Sequence, residues 1–289
     1  MNNTHEQTHE QNNDITLDAR MKIYETESLQ LSHIPFDKPY IVRLDGRRFS
    51  KYTKQFKCPN GLPYSPEFKQ AMIYTAYDLL KEFNAQTAYT HSDEITLIFK
   101  QQCINSRGEL NEHMFNGRVV KILTLISSYA SVVFNKHINK LYPECNPDKN
   151  AIFDARVIVF TNNYEISNHM IWRSGFDCVR NFISLYAETY IGKKNIYKLS
   201  VKDRLDSLSK IGCYICDTDE NFCVDYSMKH GIFIKKHNFY IFRNLKFSDT
   251  LYNFLINADI YDYDDFYDIK YNISELIPYS KKTCTLFNV

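Results

Sequence analysis

The sequence predicts an α+β fold on the ferredoxin-like βαββαβ plan, and three observations predict it. "PYIVRL" (39–44) and "AIFDARVIVF" (151–160) read as strands rich in β-branched and aromatic residues, while "TAYTHSDEITLIF" (87–99) reads as a hairpin with acids at its tip. Apolar residues recur at helical spacing over 66–83 (Phe68, Ala71, Met72, Thr75, Ala76, Leu79, Leu80, Phe83) and over 115–137 (Val119, Ile122, Leu123, Ile126, Ala130, Val133, Phe134). The resulting order is strand, helix, hairpin, helix, strand.

Each element has its own local signal. Residues 1–17 are polar, repeat THEQ, and lack both an apolar core and a transit-peptide pattern, so they read as a disordered tail on a cytoplasmic protein, with a mitochondrial location left open. Asp18 to Leu29 reads as a short helix. Ser65 is placed as an N-cap with Pro66 at the first helical position, which opens an amphipathic helix of about five turns. Glu165 to Tyr190 reads as mostly helical, and Cys216 to Ile234 as short extended segments. A catalytic unit is expected over 18–247, followed by a C-terminal extension, 248–289, whose acidic run "DIYDYDDFYD" reads as a solvated helix or an interface.

Composition bounds the function. In 289 residues the formal net charge is +1, so any nucleic-acid contact has to come from a local patch. One such patch is Arg43, Arg47, Arg48, Lys51, Lys54 and Lys57, among which Asp45 is the only acid; a solvated basic face would look the same. No apolar run approaches the ~18 residues of a membrane span. Eight cysteines without a secretory signal imply reduced thiols. Cys213, Cys216, Cys223, His230 and His237 open as C-x2-C, but the second half lacks compact zinc spacing and reads better as ordinary cysteines and histidines.

The segment "RLDGRRF" (43–49) places one carboxylate among three guanidinium groups at a strand end. An ion-pair cluster would satisfy those residues. The topology favours another use, because a crossover helix makes the first two strands parallel and brings their ends, Asp45 and Ser92-Asp93, to one sheet edge. Two carboxylates backed by Lys and Arg are what two-metal phosphoryl transfer requires: oxygen ligands for Mg²⁺ and cations for a triphosphate.

Seven stretches in order, "ARMKIYE", "RLDGRRF", "AYTHSDEITLIF", "FNGRVVKI", "FDARVIVF", "IWRSGFDCVRN" and "MKHGIFIKK", make the chain similar to the tRNA-histidine guanylyltransferase-like family over roughly 19–237. The resemblance implies a polymerase-palm-like sheet with flanking helices and extra C-terminal elements. It implies two Mg²⁺ ions on Asp45, the Gly46 carbonyl and Asp93, with Glu94 in support. Nucleotide contacts are implied for Arg47, Arg48, Phe49, Ser50, Lys57, Ser92, Asp154, Arg156, Arg173 and Asn181, beside Trp172 and Asp177. Lys121 and Asn168 also match, yet either fits a surface cation or a helix cap.

Departures narrow the expectation. Ser50 stands where the family has His, Cys58 replaces a lysine that Lys57 is placed to substitute, and Ser174 replaces Gln. "VRNFISLY" (179–186) is closer to the family's like-protein branch than to the enzymes that add a single G to histidine tRNA. The resemblance therefore implies a template-dependent 3′-to-5′ nucleotidyltransferase. Such an enzyme activates a tRNA 5′ end with ATP, adds GTP or other NTPs to repair it, and assembles as a homotetramer. The alternatives are a guanylyltransferase adding one G at position −1, a catalytically silent RNA-binding module with exposed aromatics on its central strands, and, more distantly, a nucleotide cyclase.

Overall fold

The computed structural model describes residues 15–56, 65–104, 107–109, 111–146, 148–213, 226–236, 238–242, 245–257 and 269–272. Strands β1 (Tyr40–Gly46), β2 (Thr87–His91), β3 (Glu94–Phe99) and β4 (Phe153–Val159) alternate with helices α1 (Leu17–Ser28), α2 (Phe49–Tyr52), α3 (Pro66–Glu82) and α4 (Val119–Leu141). Strands β5 (Ile232–Ile234), β6 (Asn238–Ile241) and β7 (Ile269–Asn272) complete a seven-stranded sheet in the order β4-β1-β3-β2-β5-β6-β7. Every pairing is antiparallel. Because β1 and β2 both run against β3, they point the same way, and their C-terminal ends share an edge.

Side-chain alternation divides the core into two layers. Val42, Leu44, Ile95 and Leu97 pack under α3 and α4, whereas Ile41, Ile98, Tyr89 and Ile158 pack on the other face against Met21 of α1 and Met170 of α5 (Asn163–Ile171). Helix α9 (Asp249–Ile256), from the C-terminal extension, buries Leu251, Phe254 and Leu255 in that second layer. The fully buried Lys235 ammonium fastens it, donating to the Asn257 carbonyl at 2.7 Å, the Thr87 hydroxyl at 2.5 Å and the Gln86 carbonyl at 3.1 Å. Burial holds its pKa well below the usual lysine range. A third, smaller cluster unites α6 (Cys178–Ile191), α7 (Val201–Lys210) and Met228 of α8 (Tyr226–His230).

Three expectations are corrected. The fourth helix starts at Val119, not at Phe115: Phe115, Asn116 and Gly117 all have positive φ (54°, 55° and 70°), so the chain turns before it coils. A Cβ at Gly117 would meet the Ile34 carbonyl at 2.6 Å, a close approach that only glycine permits. Residues 226–230 form the short helix α8 where extended chain was expected. And α4 is long and apolar enough to cross a membrane by length and composition, although none was expected to be; in the fold its Ile122, Ile126, Ala130 and Phe134 are buried in the core layer it shares with α3. The acidic run at 259–268 lies outside the described residues.

Candidate active site

The parallel ends of β1 and β2 bring the predicted acids together. Asp45 stands opposite Glu94 across β1–β3 and opposite Asp154 across β1–β4. The Gly46 amide donates to the Asp93 carbonyl at 3.1 Å, joining the "DG" turn to the hairpin tip. A side chain at Gly46 would strike the Phe49 ring at 2.4 Å, so this contact needs glycine. Ser92 and Arg48, both beside the acids, have φ of 53° and 58°. Left-handed backbone costs a non-glycine residue about 1–2 kcal/mol, and strain of this kind gathers at functional sites.

The carboxylates differ in how they are held. Arg173 donates to both Glu94 and Asp177, and Arg180 also reaches Asp177. Asp45 and Asp93 have no ion pair among the described residues. Burial and the charge of Asp45 push the Asp93 carboxyl up to about 6. Burial and Asp154 raise Asp45, against the opposing pull of Arg156, Arg43 and Arg173. Two half-buried, mutually repelling carboxylates with no ion-pair partner among the described residues suit a divalent cation, which relieves the repulsion. Among the described residues no three acidic, His or Cys side chains converge as a ready metal cage.

A cleft of about 430 Å³ opens beside Asp93, lined by Ser50, Lys54, Lys69, Met72, Ser92 and Met228 among others. Of the predicted site residues, Phe49, Ser50, Ser92 and Asp93 line it, with the Phe49 ring 2% exposed as part of its floor. Asp154 and Arg156 pair with Asp45 and Arg43 across β1–β4, so all four share the sheet face away from α3 and α4. Arg173 is buried there, held by Glu94 and Asp177, while Arg47 and Asn181 are exposed. Lys57 and Cys58 lie outside the described residues. Lys121 sits over the Phe115 ring, 4.8 Å from its centroid, at the far end of α4, which suits the surface reading; Asn168 lies inside α5 and donates to the Glu165 side chain, so it is no cap, and Asn162 caps that helix instead. Lys69 and Met228 were missed. Lys69 could have been found, since Ser65, Lys69 and Met72 share one helix face; nothing in the sequence points α8 at the cleft.

Helices α5 and α6 run into each other through a π-helical segment, Trp172–Asp177. The wider turn carries Arg173 toward the sheet, and such interruptions recur at functional sites.

A palm-like sheet with paired acids at the end of β1 and a hairpin tip defines a nucleotidyltransferase. A family model described as tRNA(His) guanylyltransferase matches residues 18–161. An uncharacterised protein of Acanthamoeba polyphaga mimivirus is 34% identical over 253 residues, covering 75% of this chain and 82% of its own. A tRNA(His) guanylyltransferase of Debaryomyces hansenii is 27% identical over 175 residues, 59% of this chain and 58% of that enzyme. A bacterial tRNA(His) guanylyltransferase-like protein solved with ATP superposes with a TM-score of 0.59 at 28% identity, covering 76% of this chain and 86% of that one. The chain belongs to the tRNA(His) guanylyltransferase family.

Proposed function

We propose that the protein is a template-dependent 3′-to-5′ nucleotidyltransferase that activates the 5′ end of a tRNA with ATP and adds nucleotides to it, as in repair of truncated tRNA. The observation that carries this reading is the pair Asp45 and Asp93, close enough for the charge of one to raise the other and without an ion-pair partner among the described residues, with Asp93 lining the cleft. ATP and a second NTP are the substrates, and the ATP bound by the bacterial relative supports the first of them. Asp45, Asp93 and the Gly46 carbonyl would hold two Mg²⁺ ions, which when bound acidify an attacking hydroxyl and offset charge on a leaving phosphate.

The chain's own residues divide the remaining work. Lys54 and Ser50 face the cleft and suit a triphosphate, while Arg156 stands near Asp45 on the other sheet face; Arg43, expected in the basic patch, is instead buried and donates to Glu25 at 2.6 Å. Arg173 donates to Glu94 and holds it in place beside the acids. An attacking 3′-hydroxyl is positioned by base pairing with the template, and the protein reads backbone. A homo-oligomer and a cytoplasmic location are part of the same proposal.

The silent RNA-binding alternative required exposed aromatics on the central strands. Tyr40 and Phe99 do stack, 4.7 Å apart, but they are 1% and 5% exposed beneath α3 and α4. The guanylyltransferase alternative is separated by assay. Labelled 5′-monophosphate tRNAs, intact and truncated, are incubated with ATP and each NTP, and Asp45→Ala serves as the inactive control. Activity of Asp45→Ala with Mg²⁺ equal to wild type overturns the two-acid assignment.

A further inference from the structure

The turn that joins α6 to α7 concentrates charge in an otherwise balanced chain. Between Gly192 and Arg204 stand five cations, Lys193, Lys194, Lys198, Lys202 and Arg204, and one acid, Asp203, against +1 for the whole protein. That acid is committed. Asp203 accepts from the Ser200 hydroxyl at 2.6 Å and the Ser200 amide at 3.2 Å in a capping box at the start of α7. Arg204 is also committed, to the Ser184 hydroxyl at 2.5 Å. Of the four lysines only Lys193 comes near a carboxylate among the described residues, Glu188 at 3.6 Å.

The turn is anchored. Ile196 is 6% exposed in the α6–α7 cluster, with Leu199 packed beside it, and the Asn195 and Ile196 amides both donate to the Gly192 carbonyl. Between those two anchors Tyr197 points outward with 74% of its surface exposed. Lys198 follows at φ 63°, its ammonium 5.5 Å from the Tyr197 ring. A fixed turn that spends left-handed strain to present an aromatic ring among cations has the two elements of sequence-tolerant RNA binding, phosphate neutralisation and a stacking face. Helix α6 connects it to the acids: its first residue follows Asp177, and its exposed side carries Arg180 and Asn181. At 1.5 Å per residue, α6 sets the turn roughly 20 Å from the acid edge.

We propose that the α6–α7 turn anchors the RNA substrate, with Lys193, Lys194, Lys198 and Lys202 on backbone phosphates and Tyr197 stacked on a nucleotide remote from the reacting 5′ end. This rests on the reading of the acid edge as a site for RNA ends. The experiment measures binding of a fluorescent, 5′-monophosphorylated tRNA transcript across a salt series. The proteins are wild type, Lys193→Gln/Lys194→Gln/Lys198→Gln, Tyr197→Ala, and a charge-matched control, Lys38→Gln/Lys81→Gln/Lys100→Gln, at the opposite end of the sheet.

The turn variant is expected to lower the slope of log affinity against log salt by about 2 and Tyr197→Ala to weaken binding roughly 10-fold, both with unchanged unfolding midpoints. The control should bind as wild type does. Equal slopes for turn variant and wild type, or an equal loss in the control, overturn the anchor while leaving the RNA reading intact. Failure of wild type to bind the transcript overturns both. Binding of anionic vesicles by wild type in place of the transcript assigns the turn to a membrane surface and also overturns the proposal.

Discussion

Arg173, in the π-helical segment between α5 and α6, donates to Glu94 at the start of β3, tying together residues 79 positions apart. The guanidinium is buried and its pKa lowered, first by burial and then by the nearby Arg43, so it depends on its carboxylates. Removing one partner of a buried pair costs about 3–5 kcal/mol when the other charge is left alone. Here Asp177 remains as a second acceptor, so Glu94→Gln is expected to destabilise by about 1–3 kcal/mol in urea unfolding. Arg173→Lys, which cannot span two acids with a planar fork, should cost at least as much. A loss below about 0.5 kcal/mol in both variants would remove Arg173 from its role as the tie between helix and sheet.

His169 is the second expected weak point. It is fully buried beside Phe160 and Trp172, and neither ring nitrogen has a hydrogen-bond partner among the described residues. Burial and the charge of Arg43 push its pKa down to about 3. The folded imidazole therefore stays neutral while an unfolded one takes up a proton below about 6.5. Stability from this group is complete above that pH and falls by up to about 1.4 kcal/mol per pH unit below it, until the folded ring itself titrates. His169→Leu should flatten the decline between about pH 6 and 4 and leave neutral stability equal or higher, because it removes two unpaired polar atoms. Unfolding midpoints followed across that pH range would show the same slope in both proteins if the ring has a partner after all.

Asp93 predicts the reverse sign. Its folded pKa of about 6 lies above that of an unfolded carboxyl, so the ionised form costs stability at neutral pH. Asp93→Asn is therefore expected to melt higher than wild type without metal, and millimolar Mg²⁺ is expected to raise the melting temperature of wild type but not of this variant. Activity should disappear in the same variant, the trade that a destabilised site makes for function. An Asn variant that melts lower than wild type, or that still gains from Mg²⁺, would show that Asp93 is not strained by Asp45 or not a ligand.

The convergence of Asp45 and Asp93 was legible because it depends only on topology: a right-handed crossover fixes strand direction, and strand direction fixes which ends meet. The Ser65 cap was legible for a local reason, and the structure shows its hydroxyl accepting from the Phe68 amide at 3.3 Å. Glu94 was placed beside the acids correctly, but its commitment to Arg173 was hidden. That bond depends on the π-helical segment, and "WRSGFD" has the ordinary apolar spacing of an α-helix with no mark of a wider turn. Three consecutive positive φ values before α4 were also hidden, since only Gly117 advertises that freedom and the extra turn is imposed by the Ile34 backbone packed against it.

The substrate prediction rests on "VRNFISLY". In the structure this stretch lies on α6, with Phe182, Ile183 and Tyr186 buried in the helical cluster and Arg180 and Asn181 exposed on the side that follows Asp177. On the proposed reading, selection falls to pairing within the RNA. A tRNA lacking its first nucleotide should then regain the Watson–Crick partner of the opposing acceptor-stem base, and changing that base should change the NTP used. An incorrect pair displaces the 3′-hydroxyl of the NTP, and a misplacement of about 1 Å costs ~10²-fold in rate. The measurement compares four truncated tRNAs, one for each opposing base, with an intact histidine tRNA as competitor. Matched addition at least about 30-fold faster than mismatched addition supports templated repair, whereas efficient addition of G alone to the intact tRNA, with little repair of the truncated ones, assigns the protein to the single-G enzymes.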